Sequence, residues 1–435
     1  MTPEHDRAAV CADYALRVLL GEDSDPAVRA RVAYQPADSP AAGARVQIVP
    51  SGFFGENYLR PASLPAPPLP QIEGVPLLFG RPDVERRGER LIVHADIVAS
   101  AFFLATRCES VVRREVRDAH GRFPGQESLP FRAGFIGRPV VDEYAALLRK
   151  WLREAGVPVA EPKRNFSVLL THDIDFVRKY DRPWRSAAAS TLKRRSVRAA
   201  ASIVRIACGL ARDPYDVFDE VLRLDATLGE GGVSARSVFF IMAREVDETG
   251  RTYDVRGRAA RRTIRRLIDA GAAIGLHSSY SAGSDPELIA EEKKVLEDVC
   301  GFAVNRNRHH YLRWREVEDG WPMARAGIDW DSTLCYADVA GFALGVCRPI
   351  PLFDPVTLKP FGIEEHPLLV MDCTLSRVEF MGLSQDEAFE YCRGLIAQTR
   401  KHNGEFVALW HNTILVMEAE YHLPLYQRIL NELCS

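Results

Sequence analysis

The chain has 435 residues, 47% of them hydrophobic, with 56 basic and 59 acidic side chains and a formal net charge of -3. That length points to two domains with ample material for a core, and the charge balance argues against a general nucleic-acid binder. Nine cysteines lie dispersed without CxxC pairs, which reads as free thiols in a reducing compartment and argues against a disulfide framework or a cysteine-ligated zinc.

The opening Met1-Thr-Pro-Glu-His-Asp6 lacks the basic-then-apolar order of a signal peptide, and no uncharged apolar run approaches a membrane span. A soluble, cytoplasmic protein is expected. Residues 6–20 carry a helical pattern, residues 44–50 a strand, and residues 61–70 a proline-rich connector. Apolar positions at helical spacing predict a helix over 95–106. Another over 140–155 sets Val141, Tyr144, Leu148, Trp151 and Leu152 on one side and stops at Gly156 and Pro158. His94 and His120 stand isolated and are expected to be structural.

From residue 166 the pattern changes. Phe166-Ser-Val-Leu-Leu-Thr171-His-Asp173-Ile-Asp175 is an apolar run that stops at two carboxylates spaced i, i+2. On an extended strand both side chains point to one face, where they repel each other unless a cation joins them. A metal-bound carboxylate beside a free one is an arrangement suited to hydrolysis; the plainer reading is a strand followed by an Asp-containing turn. Further strands are predicted over 237–242, 272–276, 303–308, 367–371 and 405–410, with helices over 258–270 and 286–300. Gly271 ends the first helix; Asp285 and Pro286 are read as N-cap and first residue of the second. Repeated βα units over ~270 residues fit a parallel sheet closed, or nearly closed, into a barrel. The expected architecture is α/β, a distorted (β/α) barrel over 161–435 preceded by a smaller mixed α/β domain over 1–160.

The chain holds only eleven histidines, yet His172, His277, the pair His309 and His310, and His411 each follow a strand-like segment. Parallel α/β folds gather their chemistry at the C-terminal ends of strands, so a shared site is expected there. Residues 178–212 stand apart. Arg178, Lys179, Arg182, Arg185, Lys193, Arg194, Arg195, Arg198, Arg205 and Arg212 surround an apolar row of Val197, Ala200, Ala201, Val204 and Cys208 at helical spacing. The plainer reading is a solvated helix inserted after the first barrel strand. Contact with an anionic membrane surface or an anionic substrate is the other.

Residues 165–415 resemble the polysaccharide deacetylase family, metal-dependent carbohydrate esterases that remove N- or O-acetyl groups. The stretches starting at Ala95 and at Gly134 look like the N-terminal module of a subgroup of that family. The first family motif falls on Thr171-His-Asp173-Ile-Asp175, which implies Asp173 as catalytic base and Asp175 as metal ligand. The second falls on Gly275-Leu-His277-Ser278, which implies His277 as a ligand, but the usual partner histidine four residues on is Ser281 here. By the same resemblance Arg308 pairs with the base, Asp329-Trp330-Asp331-Ser332-Thr333 supplies an orienting carboxylate and part of the groove, and His411 in Leu409-Trp410-His411 is the general acid. Tyr280, Trp330, Asp331 and Trp410 are the expected substrate contacts; tryptophans near such a mouth, Trp314 among them, are otherwise simply packed.

With Ser281 in place of a histidine, Asp175 and His277 leave a zinc-type site one protein ligand short. If the segment after residue 303 is extended, Arg308 and His310 share a face and His309 points away. His310 is therefore the expected third ligand. Carboxylate plus imidazole suits Zn²⁺ first, with Co²⁺, Mn²⁺ or Ni²⁺ as alternatives. The expected function is metal-dependent removal of an acetyl group from a sugar-containing biosynthetic intermediate. The alternatives are an amidase on a non-sugar metabolite or acylated natural product, and a non-catalytic carbohydrate-binding relative.

Overall fold

A computed structural model describes residues 3–22, 24–180, 183–192, 197–244, 246–247 and 249–435. Arg182, Lys193, Arg194 and Arg195 of the basic segment lie outside the described residues.

The C-terminal part is built on nine strands, β1 (Ser167–Ile174), β2 (Ser234–Met242), β3 (Ala273–Ser278), β4 (Arg306–His309), β5 (Trp330–Asp331), β6 (Ile350–Asp354), β7 (Lys359–Glu365), β8 (Val370–Met371) and β9 (Glu405–Leu409). They form one sheet in the order β6-β7-β5-β4-β3-β2-β1-β9-β8. All neighbours are parallel except the antiparallel β6–β7 pair. Helices such as Phe218–Glu230, Arg258–Asp269, Leu288–Cys300 and Gln385–Lys401 make the crossovers, as parallel pairing requires.

The sheet curls into a half-barrel with β6 and β8 as its edges, an open form of the expected distorted (β/α) barrel. β8 offers only two residues for pairing, and β6 runs against its neighbour, so among the described residues no ladder joins the two edges. The strands β5 to β7 were not expected. Two residues are too few for any periodicity, and Pro351 and Pro360 mask the strand character of the hairpin. The helix expected from Pro286 begins instead at Leu288; Asp285 accepts from the backbone N–H of Glu287 and caps the turn before it. Gly271 does end its helix, in a left-handed conformation (φ 82°) that favours glycine.

The N-terminal part carries its own four-stranded sheet, ordered Val32–Tyr34, Val46–Ile48, Arg90–Ala95 and Gly80–Arg87. The helices Pro3–Leu20, Ile97–Ala105 and Val140–Glu154 pack together beside it. One continuous apolar core runs from these elements into the large sheet. Tyr14 stacks on Phe353 of β6 at 4.5 Å, and its hydroxyl donates to the Pro351 carbonyl. Buried ion pairs cross the same junction: Arg348 to Asp142 at 2.8 Å and Arg107 to Glu316 at 3.0 Å. Burial pushes the Asp142 carboxyl up, but the Arg348 and Arg164 guanidiniums outweigh it and hold it below the usual carboxylate range.

Asp142→Ala is expected to destabilise the chain by about 3–5 kcal/mol, because it leaves Arg348 buried without its counter-charge. Thermal or denaturant unfolding checks this; an unchanged midpoint would contradict it. No helix among the described residues is long and apolar enough to cross a membrane. All nine cysteines are free thiols.

Candidate metal centre and active site

Because eight of the strands, all but β6, run parallel, their C-terminal ends meet along one edge of the curl. Asp173 lies near the end of β1 and Asp175 just beyond it. His277 lies next to the end of β3, Arg308 lies in β4, and His310 follows it; Asp372 follows β8 and His411 follows β9. In register, His277 sits beside Arg308. The side chains of Asp173, Asp175, His277, His310 and His411 line one cleft of about 310 Å³.

Ligand atoms of Asp175, His277 and His310 lie within 4.8 Å of one another. Asp175 Oδ1 is 3.3 Å from His277 Nε2 and 3.6 Å from His310 Nε2. His277 is fully buried and its Nδ1 meets the Arg308 carbonyl at 2.9 Å. That contact fixes the N–H on Nδ1 and turns the Nε2 lone pair toward the carboxylates, as a ligating histidine requires. Asp173 Oδ1, Asp175 Oδ1 and His277 Nε2 are buried without a hydrogen bond among the described residues. Buried polar atoms are normally satisfied, and a divalent cation among them satisfies this set: one carboxylate and two imidazoles, with room for water.

The charges around the cluster agree. Burial pushes the Asp175 carboxyl up, but His277, His310 and His411 surround it and hold it well below the ordinary range. Burial pulls His277 down, while Asp173 and Asp175 more than offset this and raise it.

Two further pairs flank the cluster. Arg308 is fully buried over the Phe240 ring, its guanidinium donating to Thr171 Oγ1 and Ser332 Oγ, with Nη1 3.6 Å from Asp173 Oδ1. His411 Nδ1 meets the buried Asp372 carboxylate at 2.9 Å, and its Nε2 faces Asp175 at 3.9 Å. Burial lowers the His411 imidazolium, but Asp372 outweighs it and raises the group to about 10. Asp372, Cys373 and His411 also form a group with metal-ligand spacing. Both Asp372 oxygens, however, are engaged by the His411 backbone N–H and Nδ1, and burial keeps the Cys373 thiol protonated. That group is a hydrogen-bonded pair beside a thiol.

The residues expected as substrate contacts fall elsewhere. Trp330 stacks on His366 at 4.4 Å inside the curl, and Asp331 is spent on Asn307 and Thr333. Trp410 packs on Tyr426 behind the sheet, the face opposite His411. Alternation along each strand turns these three inward or outward, away from the cleft. Tyr280 lies under the Arg313 guanidinium, and its hydroxyl touches His120 at the rim. Trp314 is buried against the edge of His309.

The assumed extended backbone after residue 303 ends at His309, where a short 3-10 turn begins and Tyr311 and Leu312 adopt positive φ. Arg308 and His310 still reach the cleft. His309 turns away onto Asn307 and Trp314, and burial, with Arg315 nearby, lowers it to about 3.

Sequence reasoning missed Asp372, although a carboxylate directly after the strand expected at 367–371 was a readable signal. It also missed the contribution of the N-terminal part: His120, expected to be structural, lines the cleft together with Arg122, whose guanidinium donates to the Tyr311 carbonyl.

Gly275→Ala tests how the shelf under Arg308 is built. An added Cβ would lie 2.6 Å from the Phe240 ring that carries the guanidinium. A loss of about 1–3 kcal/mol in stability, typical of overpacking, is expected together with lower activity. Parent-like stability would mean that the ring has room to move.

Residues 16–157 match the model of a family of unknown function, DUF7033. No curated protein matches the chain. Among solved structures, it is similar to a candidate polysaccharide deacetylase from Mycobacterium smegmatis, with 18% identity and a TM-score of 0.40 over 64% of this chain and 87% of that one. At that identity and score the likeness says nothing about chemistry.

Proposed function

We propose that the cleft is the active site of a divalent-metal-dependent deacetylase, with an N- or O-acetylated sugar or a related amide as substrate. The observation that carries this reading is the convergence of Asp175, His277 and His310 between a base candidate held by Arg308 and an acid candidate held by Asp372. Residues 161–435 would form the catalytic unit, and residues 1–160 would close one side of the cleft through His120 and Arg122.

A cation on those three ligands would supply Lewis-acid polarisation of the scissile carbonyl and acidify water. Asp173 takes the proton of the attacking water, and Arg308, 3.6 Å away, orients its carboxylate. His411 Nε2 gives a proton to the departing nitrogen or oxygen, while Asp372 holds Nδ1–H and with it the ring. Phe176, Met371, Phe380 and Ile414 give the cleft an apolar wall.

This apolar lining also favours a second reading, an acyl group longer than acetyl on a non-sugar amide. Incubation with a panel of acetylated sugars and longer acyl amides separates the two by which acid is released. Acetate release from an acetylated sugar that stops on chelation and returns with Zn²⁺, Co²⁺, Mn²⁺ or Ni²⁺ is expected. Hydrolysis indifferent to chelation would refute the metal-dependent reading.

The acid role sets a pH dependence. His411 must be protonated to donate, and its raised value keeps it so through neutral pH. The limb of the profile that His411 sets should therefore lie on the alkaline side. Asp372→Asn removes the group that raises His411, so the alkaline limb of kcat should move to lower pH. An unmoved limb would separate His411 from the proton transfer.

A further inference from the structure

Between β1 and the helix Phe218–Glu230 the chain leaves the sheet as two helices, Pro183–Leu192 and Val197–Ala207, packed on each other. Both ends of this excursion meet at one carboxylate: Asp213 accepts from the backbone N–H groups of Lys179, Tyr180 and Tyr215. Its root is the cleft rim. The Asn412 amide donates to the carbonyls of Phe176 and Tyr215, and the Tyr215 hydroxyl meets Met417 Sδ at 3.4 Å. Phe176 and Met417 both line the cleft.

The chemistry of the excursion is unlike the rest of the chain. Residues 178–212 hold ten basic side chains against one acidic, in a protein whose net charge is -3. Helix Val197–Ala207 buries Ala200 and Ile203, which leaves Val197, Ala201, Val204 and Cys208 facing outward in one row beside the exposed Arg198 and Arg205. Val197 is 74% exposed and Leu210, one turn beyond the helix, 71%. Among the described residues no carboxylate pairs with Arg198 or Arg205. The cleft mouth continues the apolar character: Phe176, Tyr311 and Met417 line it while exposed, and Val378, beside the lining residue Arg377, is 89% exposed.

An outward apolar row would be costly on a helix that only meets water, and nucleic acid would engage the arginines but leave that row uncovered. An anionic bilayer satisfies both features, with basic groups at headgroup phosphates and short apolar side chains below them. We propose that this excursion docks the protein onto an anionic lipid surface and brings the cleft mouth to it, so that an amphiphilic substrate can enter from the bilayer. The docking stands whether or not the cleft hydrolyses an amide.

Sedimentation of the full chain with phosphatidylcholine vesicles, with and without phosphatidylglycerol, tests the proposal. Binding to the anionic vesicles alone, weakened by salt, is expected. Val197→Ser with Leu210→Ser should weaken it about tenfold through lost apolar insertion, and Arg198→Glu with Arg205→Glu should abolish the preference for anionic lipid. Both double variants should keep the metal content and melting curve of the parent, which separates a docking defect from misfolding and from any failure of the hydrolase reading. No sedimentation with anionic vesicles, binding untouched by the variants, or tighter binding to duplex DNA than to the vesicles would overturn the proposal.

Discussion

Asp173→Asn is expected to lower kcat by about 10²–10⁴-fold, the range over which a positioned base contributes, while the cation stays bound. Asp173 reaches the cluster only through His277 Nε2 at 3.5 Å and turns its other oxygen to Arg308. The ligand set Asp175, His277 and His310 is complete without it. Asparagine keeps the shape and the contact to Arg308's side of the site but cannot accept the water's proton. Steady-state kinetics and elemental analysis on the same preparation check both halves. A kcat near the parent value, or loss of metal with the amide, would remove Asp173 from the base role.

His310→Ala is expected to weaken metal binding by more than the ~10–100-fold that partners of ligands are worth, because a ligand itself is removed. His309→Ala should leave metal binding near the parent value. Its ring is fully buried against Trp314 and Asn307, so that variant should lose stability instead, through the cavity it leaves. The contrast between adjacent histidines makes the pair informative. Both sit at the same strand end, yet only His310 brings a ring nitrogen to Asp175. Metal titration of the two variants in parallel is the measurement, and equal losses would mean that the cation is held elsewhere.

Those two histidines also mark how far the sequence reaches. The parallel βα repeat from residue 166 is legible because buried strands are continuous apolar runs ended by polar side chains, and five such runs coincide with strands, β4 (Arg-Asn-Arg-His) being the polar exception. The cluster of acids and histidines at their ends is legible for the same reason. The curl's open edge is not, since it depends on how many residues β8 and β6 offer for pairing. The helix Gln385–Lys401 carries a readable start signal, Ser384 with Glu387 three residues on in a capping box, that the periodicity reading passed over. Trp330, Asp331 and Trp410 were misplaced because nearness in sequence to a motif residue does not fix the side of the strand. His120 and Arg122 approach the cleft from a loop of the N-terminal part, a tertiary contact that no local pattern encodes. Asp372 lies in between, visible as a strand-end carboxylate but recognisable as the partner of His411 only once β8 and β9 are known to pair.

The most direct test of the central claim is the metal content of the protein purified without added metal, measured by elemental analysis beside Asp175→Ala and followed by titration of each with Zn²⁺. About one divalent ion per parent chain, as three protein ligands and water would hold, and none on Asp175→Ala is the expected result. A parent chain that neither carries nor takes up a divalent ion, or an Asp175→Ala variant that keeps full occupancy, would contradict it and leave the cleft a binding site without its chemistry.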